Sequence, residues 1–122
     1  MEGVGAVLKM QGQAEAALPV LVQALALMPE DAEAHNNLGV VLKDLGRLSE
    51  AEASCRRALA LKPDYAEAHN NLGNAYKDLG HLTEAEASYR RALALKPDDA
   101  DAHNNLGNAY KNLGHLTEAE AS

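Results

Sequence analysis

The sequence predicts an all-α protein built as a solenoid of antiparallel helix hairpins, and three observations support this prediction. Segments 32–65, 66–99 and 100–122 repeat nearly the same residues at a fixed spacing of 34. Apolar residues inside each segment recur with the period of an α-helix. A unit of 34 residues is too small to close a core alone, so it must stack on its neighbours. We therefore interpret residues 1–122 as one array of helical repeats.

The first helix of each repeat is marked by an apolar stripe and by glycine. In repeat 32–65 the stripe occupies positions i, i+4, i+7, i+8 and i+11, which are Ala34, Leu38, Val41, Leu42 and Leu45. A glycine inside each helix predicts close contact with small residues of a second helix; these are Gly39, Gly73 and Gly107. A glycine after the stripe predicts the left-handed conformation that ends a helix; these are Gly46, Gly80 and Gly114.

The second helix of each repeat has a start signal and a charged outer face. A hydroxyl residue followed three positions later by Glu resembles a capping box, in which the hydroxyl accepts a free backbone N–H. The pattern occurs as Ser49 to Glu52, Thr83 to Glu86 and Thr117 to Glu120. Two Glu–Arg pairs spaced i, i+4 predict ion pairs on a solvated convex face; they are Glu52 with Arg56 and Glu86 with Arg90.

The two ends of the array are incomplete repeats. Residues 1–31 match the repeat loosely, and Pro19 falls near the first turn of the expected second helix. In residues 100–122 the second helix is expected to begin at Thr117 and is cut short, which predicts an apolar end formed by Leu106, Tyr110 and Leu113. We expect either a fragment of a longer protein or an end that another molecule covers.

Composition excludes several classes of function. The net charge of −7 disfavours nucleic acid, because phosphate binding depends on clustered Lys and Arg. The first residues lack a secretory signal, and no stretch has the ~18 apolar residues of a membrane span, so we expect a cytoplasmic protein with no membrane partner. No nucleophile with its base, phosphate loop or paired-carboxylate site is recognisable. The sequence therefore predicts no enzymatic activity and no cofactor.

Histidine and cysteine residues suggest no metal site. His35, His69 and His103 fall on the core side of successive first helices. Helices pack at ~8–10 Å, whereas the ligands of one zinc ion all lie ~2 Å from it. His81 and His115 are expected in loops. The single cysteine, Cys55, replaces a tyrosine of the next repeat and is interpreted as a buried packing residue.

The repeated unit resembles the tetratricopeptide repeat. The shared pattern is L-G-x-x-Y/L-x-x-x-G, then E-A, then Y/C-x-x-A-L, then P, and it covers the whole chain as residues 1–31, 32–65, 66–99 and 100–122. The three core-side histidines stand where the family usually has a bulky aromatic residue, so we expect looser packing there. The resemblance implies a right-handed superhelix whose first helices line a concave groove that holds a peptide or protein partner.

A polar stripe on the first helices is the predicted binding surface. It is rich in asparagine, a poor helix former, whereas a merely solvated face would favour Glu, Lys or Gln. An Asn amide offers both a donor and an acceptor, so it can pair with a peptide group much as a neighbouring strand does. The predicted peptide-binding residues are Asn36, Asn37, Asn70, Asn71, Asn74, Asn104, Asn105 and Asn108.

The column formed by Asn37, Asn71 and Asn105 resembles the asparagine ladder of O-linked N-acetylglucosamine transferases. That resemblance implies sequence-tolerant binding of an extended polypeptide backbone, and it suggests a repeat fragment of a transferase-like protein without its catalytic domain. A different family use is a basic clamp for the C-terminal carboxylate of chaperones, which needs Lys and Arg. The corresponding positions of this chain hold Asn36, Val40, Asn71, Asp101 and Asn105.

Two alternatives to the ladder stay open. Repeats this similar could have inherited their asparagines by duplication alone. The chain could also be a structural module that self-associates head to tail through its uncapped ends. The persistence of Asn37 and Asn71, while Val40 and Asn74 differ, favours a binding role.

Overall fold

Six α-helices form the part of the chain that the computed structural model describes, which is the backbone of residues 2–121 and the side chains of residues 12–114. In chain order the helices are α1 (Glu2–Leu27), α2 (Ala32–Asp44), α3 (Leu48–Leu61), α4 (Ala66–Asp78), α5 (Leu82–Leu95) and α6 (Ala100–Ala121). The predicted all-α fold is confirmed.

The helices stack as a solenoid. α2 pairs with α3, and α4 pairs with α5, each pair forming a hairpin. Each hairpin packs on the next through α3 with α4 and α5 with α6, while α1 packs on α2. The first helices α2, α4 and α6 also contact each other in order. They therefore lie side by side and share one face of the array.

Small residues let the two helices of a hairpin approach closely. A methyl group added at Gly39 would lie 2.5 Å from Cys55 Sγ, and one added at Gly73 would lie 2.5 Å from a ring carbon of Tyr89. The predicted close contact is thus confirmed in both complete hairpins, although the side chain that meets Gly73 is the large ring of Tyr89 and not a small residue. At Gly107 an added methyl group meets nothing within 4 Å.

The ends of the first helices follow the sequence signals in α2 and α4. Gly46 has φ 77° and Gly80 has φ 82°, the left-handed conformation that glycine adopts without strain. The N–H of Gly46 donates to the carbonyl of Lys43, which satisfies one of the free carbonyl groups at the end of α2. Asp31 caps the start of α2 by accepting from the N–H of Ala34 at 3.3 Å.

The predicted capping boxes of the second helices are wrong. α3 begins at Leu48 and α5 begins at Leu82, and no side chain caps either helix. Both leucines are half-buried and occupy the first helical position. Ser49 and Thr83 therefore lie one residue inside the helix, where their hydroxyl groups cannot act as caps.

The incomplete repeats at the ends form single helices instead of hairpins. α1 runs through Gly12 and Pro19, and α6 runs through Gly114. The predicted helix end at Gly114 and the predicted helix start at Thr117 are therefore wrong. A turn between two helices is stabilised when the returning helix buries apolar surface against the preceding one. Few residues follow Gly114 to form such a returning helix. Continued backbone hydrogen bonding therefore keeps α6 as one helix.

The predicted apolar end on α6 is only partly exposed. Tyr110 is 42% exposed, but Leu106 and Leu113 are half-buried. The guanidinium carbon of Arg90 lies 5.6 Å from the centre of the Tyr110 ring, and Arg90 Nε donates to Tyr110 Oη at 2.9 Å. This cation–π contact shields part of the aromatic surface.

Candidate functional site

Pairs of asparagines join neighbouring first helices. Asn71 Nδ2 on α4 donates to Asn36 Oδ1 on α2 at 2.9 Å. In the same way Asn105 Nδ2 on α6 donates to Asn70 Oδ1 on α4 at 3.2 Å. We call these two hydrogen bonds the asparagine rungs. Sequence reasoning missed them, although each rung joins positions 35 residues apart in the sequence.

The rungs fix the amides that were predicted to contact a ligand. An Asn side chain has two N–H donors and one carbonyl acceptor with two lone pairs. Asn71 and Asn105 are half-buried and use one donor each in a rung. Each therefore keeps an Oδ1 and a second N–H for a further partner. A held amide loses less entropy on binding than a freely rotating one.

Asn36 does not lie on the accessible surface, so its predicted direct contact with a ligand is wrong for this arrangement. The residue is 0% exposed, since α4 covers it. Its Nδ2 donates weakly to Tyr65 Oη at 3.5 Å, and its Oδ1 accepts the rung from Asn71. Asn36 thus supports Asn71 from beneath.

Asn74 has a structural partner that explains why it differs from Val40. Tyr89 Oη donates to Asn74 Oδ1 at 2.6 Å, and burial of the Tyr89 phenol raises its pKa. One repeat earlier, Cys55 stands in place of Tyr89 and Val40 in place of Asn74. A thiol needs no such acceptor, so the two positions differ together.

The remaining predicted residues leave their amides open. Asn37, Asn104 and Asn108 are exposed, and the described side chains give none of them a hydrogen-bond partner. Asn37 also lines a cavity of about 530 Å³ where α1, α2 and the start of α4 meet. Its other lining residues are Ala17, Val20, Leu21, Val40, Val41 and Glu67.

The exposed side of the first helices carries more acidic than basic residues. The acidic residues are Glu33, Asp44, Glu67, Asp78 and Asp101, and the basic ones are Lys43, Lys77 and Lys111. Lys43 Nζ lies 3.8 Å from Asp78 Oδ2, so part of its charge is already countered. A concentrated cationic site for an acidic ligand is therefore not formed by these helices.

The predicted convex ion pairs are present. Arg56 Nη1 lies 3.6 Å from Glu52 Oε1, and Arg90 Nη2 lies 3.0 Å from Glu86 Oε1. Both arginines are exposed. Ion pairs of this kind stabilise a helix by only a few tenths of a kcal/mol, about 0.3–0.5.

Three histidines anchor the first helices to the preceding loops. The Nε2 atoms of His35, His69 and His103 lie 2.9, 2.9 and 2.7 Å from the carbonyl oxygens of the prolines six residues earlier. Those prolines are Pro29, Pro63 and Pro97. A carbonyl only accepts, so Nε2 carries the proton. The expected core position holds for His69 alone, because His35 is half-buried and His103 is exposed.

The described side chains contain no group of three His, Cys, Asp or Glu residues placed to hold a metal ion. Cys55 is buried, as predicted, and burial raises the pKa of its thiol to about 12. A protonated, enclosed thiol is a poor nucleophile. Cys55 is therefore a packing residue of the α2–α3 hairpin.

The family model for the TPR repeat matches residues 5–46, 41–80 and 73–114. These matches span nearly the whole chain. The chain belongs to the TPR repeat family. Its hairpins, their internal glycines and the face shared by the first helices are the features expected of a TPR array. No curated protein matches the sequence at a significant level.

Solved TPR domains share this architecture. The first TPR domain of human RPAP3 has a TM-score of 0.84 at 26% identity, covering 96% of this chain and 91% of that one. The first TPR of Spaghetti (RPAP3) bound to the HSP90 peptide SRMEEVD has a TM-score of 0.82 at 27% identity, covering 93% and 89%. The second TPR domain of human RPAP3, in complex with the HSP70 peptide SGPTIEEVD, has a TM-score of 0.78 at 25% identity, covering 89% and 91%.

None of the described helices combines the length and the hydropathy that crossing a membrane requires.

Proposed function

We propose that this TPR array is a non-catalytic scaffold that binds an extended polypeptide along the exposed side of α2, α4 and α6. The observation that supports this most directly is the arrangement of the amides. Asn37 is exposed, and the rungs hold Asn71 and Asn105 in place while leaving each an acceptor and a donor. These groups match the alternating N–H and C=O groups of an extended backbone.

The spacing of the column supports the same proposal. Adjacent packed helices are ~8–10 Å apart, and an extended chain advances ~3.3 Å per residue. One asparagine therefore meets about every third peptide group. Recognition through the backbone tolerates many ligand sequences, as the resemblance to O-linked N-acetylglucosamine transferase repeats suggests.

The ligand proposed here differs from the peptides bound by the RPAP3 domains. Those peptides end in the acidic sequence EEVD. In this chain Asn36, Val40 and Asn71 stand among the positions where a basic clamp needs Lys or Arg. The acidic residues outnumber the lysines on the same helices, so a C-terminal acidic tail is disfavoured.

A peptide titration tests the proposal. The probe is a fluorescein-labelled nonapeptide, TSTLTKTST, with both ends blocked; its β-branched residues favour extended backbone. We expect fluorescence anisotropy to report saturable binding of the end-blocked peptide that weakens by at most about fivefold from low to moderate salt. The peptide should also bind more tightly than SRMEEVD. Asn37→Ala should weaken binding by about five- to tenfold through loss of backbone hydrogen bonds, whereas Gln23→Ala, an exposed amide on α1, should not. Equal affinity of both variants would contradict the asparagine column.

Self-association is a second candidate function, because one face of α1 lacks the cover that equivalent helices have. Ala24 is exposed, but its counterparts Ala58 and Ala92 are fully buried. Leu27, the last residue of α1, and Met28, which follows it, are also exposed. Sedimentation velocity over a hundredfold concentration range tests this candidate. We expect concentration-dependent growth that Leu27→Lys abolishes, and a monomer at every concentration would exclude it.

A further inference from the structure

A column of identical rungs cannot set the register of a bound chain. The first helices of successive repeats carry the same asparagines at the same positions. A peptide moved along by one repeat would therefore meet the same amides again. Backbone recognition alone leaves several registers nearly equal in free energy. A feature that departs from the repeat symmetry is needed to select one.

Val40 is such a departure on the exposed side of the first helices. The equivalent residues are Asn74 and Asn108. The Tyr89 hydroxyl donates a hydrogen bond to Asn74. At Val40 no acceptor for such a bond is needed, because Cys55 replaces the tyrosine. Val40 is 36% exposed, so an apolar spot interrupts the polar column.

This apolar spot lies in a cavity of suitable size. The cavity of about 530 Å³ is lined by Val40 and Val41 of α2 and by Ala17, Val20 and Leu21 of α1. Val20 is 65% exposed. The polar lining residues are Asn37, which belongs to the column, and Glu67 at the start of α4. An aliphatic side chain can therefore enter the cavity while the adjacent backbone reaches Asn37.

Glu67 adds a preference for charge. It is exposed, and the described side chains include no ion pair to it. In an extended chain, residues i and i+2 point to the same side. A Lys or Arg two positions from the aliphatic residue therefore reaches the same end of the array as Glu67. An acidic residue there would meet repulsion instead.

We propose that the cavity around Val40 fixes peptide register by taking a Leu, Ile, Val or Met side chain, and that Glu67 selects a Lys or Arg two positions away. This inference rests on the proposed function, since it assigns side-chain specificity to the same surface. It gives the scaffold one anchored position within an otherwise sequence-tolerant site. The ligand class is an extended segment with the pattern aliphatic–x–cationic, or its reverse.

The test compares four end-blocked, fluorescein-labelled peptides: TSTLTKTST, its reverse TSTKTLTST, TSTTTKTST without the aliphatic residue, and TSTLTETST with an acid. We expect the tighter of the first two to bind about tenfold better than the peptide without leucine. We expect it to bind about two- to fivefold better than the acidic peptide at low salt. Glu67→Gln should remove the second preference and retain the first.

Val40→Asn gives the decisive variant because it restores the residue that the next two repeats use. We expect it to reduce the leucine preference to within about twofold. Val22→Asn is the matched control, since Val22 is exposed on α1 but does not line the cavity. It should keep the full preference.

The outcomes separate this inference from the proposed function. Failure of all four peptides to bind would contradict the proposed function itself. Equal binding of all four, unchanged by Val40→Asn, would preserve backbone recognition and overturn the register cavity. Occupation by a second copy would appear in sedimentation as an oligomer that Val40→Asn dissolves, and it would overturn peptide anchoring. Occupation by the chain's own residues would abolish the leucine preference and overturn it as well.

Discussion

Adding one methyl group at Gly73 tests whether hairpin contact, rather than helix propensity, decides the stability of this array. In Gly73→Ala the new Cβ would lie 2.5, 2.7 and 2.9 Å from three carbons of the Tyr89 ring. The ring cannot move away easily, because it is fully buried and its hydroxyl is bonded to Asn74. Overpacking of this kind costs about 1–3 kcal/mol.

The chain offers an internal control for this change. In Gly107→Ala the new Cβ meets nothing within 4 Å. Both variants gain about 1 kcal/mol of helix propensity, since alanine favours the helix over glycine by that amount. The difference between them isolates the overpacking cost, and we expect Gly107→Ala to be about 2 kcal/mol more stable than Gly73→Ala.

Urea denaturation followed by circular dichroism at 222 nm measures the difference directly. We expect Gly107→Ala to raise the midpoint above that of the wild type, and Gly73→Ala to lower it. If both variants raised the midpoint equally, the close approach of α4 and α5 at Tyr89 would be refuted. The double variant Gly73→Ala, Tyr89→Ala removes the clash with the ring but leaves a cavity where the ring was. Comparing its stability with that of Tyr89→Ala alone shows the effect of alanine at position 73 without the clash.

Three further predictions follow from individual contacts. Tyr89→Phe should lower the free energy of unfolding by about 1 kcal/mol, and a double-mutant cycle with Asn74→Ala in urea denaturation should recover most of that as coupling. His69→Ala should destabilise the array more than His103→Ala in the same assay, because only His69 is buried while both bond to a proline carbonyl. The free energy of unfolding should fall as the pH rises above 9, because the unfolded Cys55 thiol then releases a proton that the folded state retains up to about pH 12. Cys55→Ala should reduce this fall. An unchanged dependence on pH in that variant would contradict the assignment of the fall to Cys55.

The repeated pattern was sufficient to predict most of the fold. The apolar stripe and the left-handed glycines Gly46 and Gly80 fixed the helices of the two complete hairpins, because both signals act within one helical turn of the residues concerned. The same glycine signal failed at Gly114, where α6 continues. A glycine permits a turn without requiring one, and few residues follow Gly114 to form the returning helix that would stabilise the turn.

The candidate site was predicted only in part, because its decisive contacts join different helices. The exposed amide of Asn37 could be inferred from helical periodicity. The rung from Asn71 to Asn36 could not, since it depends on how α4 is displaced relative to α2. The bond between Tyr89 and Asn74 has a signal in the sequence, because the pair Asn74 and Tyr89 is replaced by Val40 and Cys55 in the neighbouring repeat.

The most direct test of the asparagine column is the behaviour of its side-chain amides during binding. The ¹⁵N-labelled chain is titrated with TSTLTKTST, and the NH₂ signals of Asn37, Asn71 and Asn105 are followed by ¹H–¹⁵N correlation spectroscopy. We predict that all three shift with one common dissociation constant while the amide of Gln23 on α1 stays in place. Saturable binding that leaves the three asparagine signals unmoved would contradict recognition of the peptide backbone by this face.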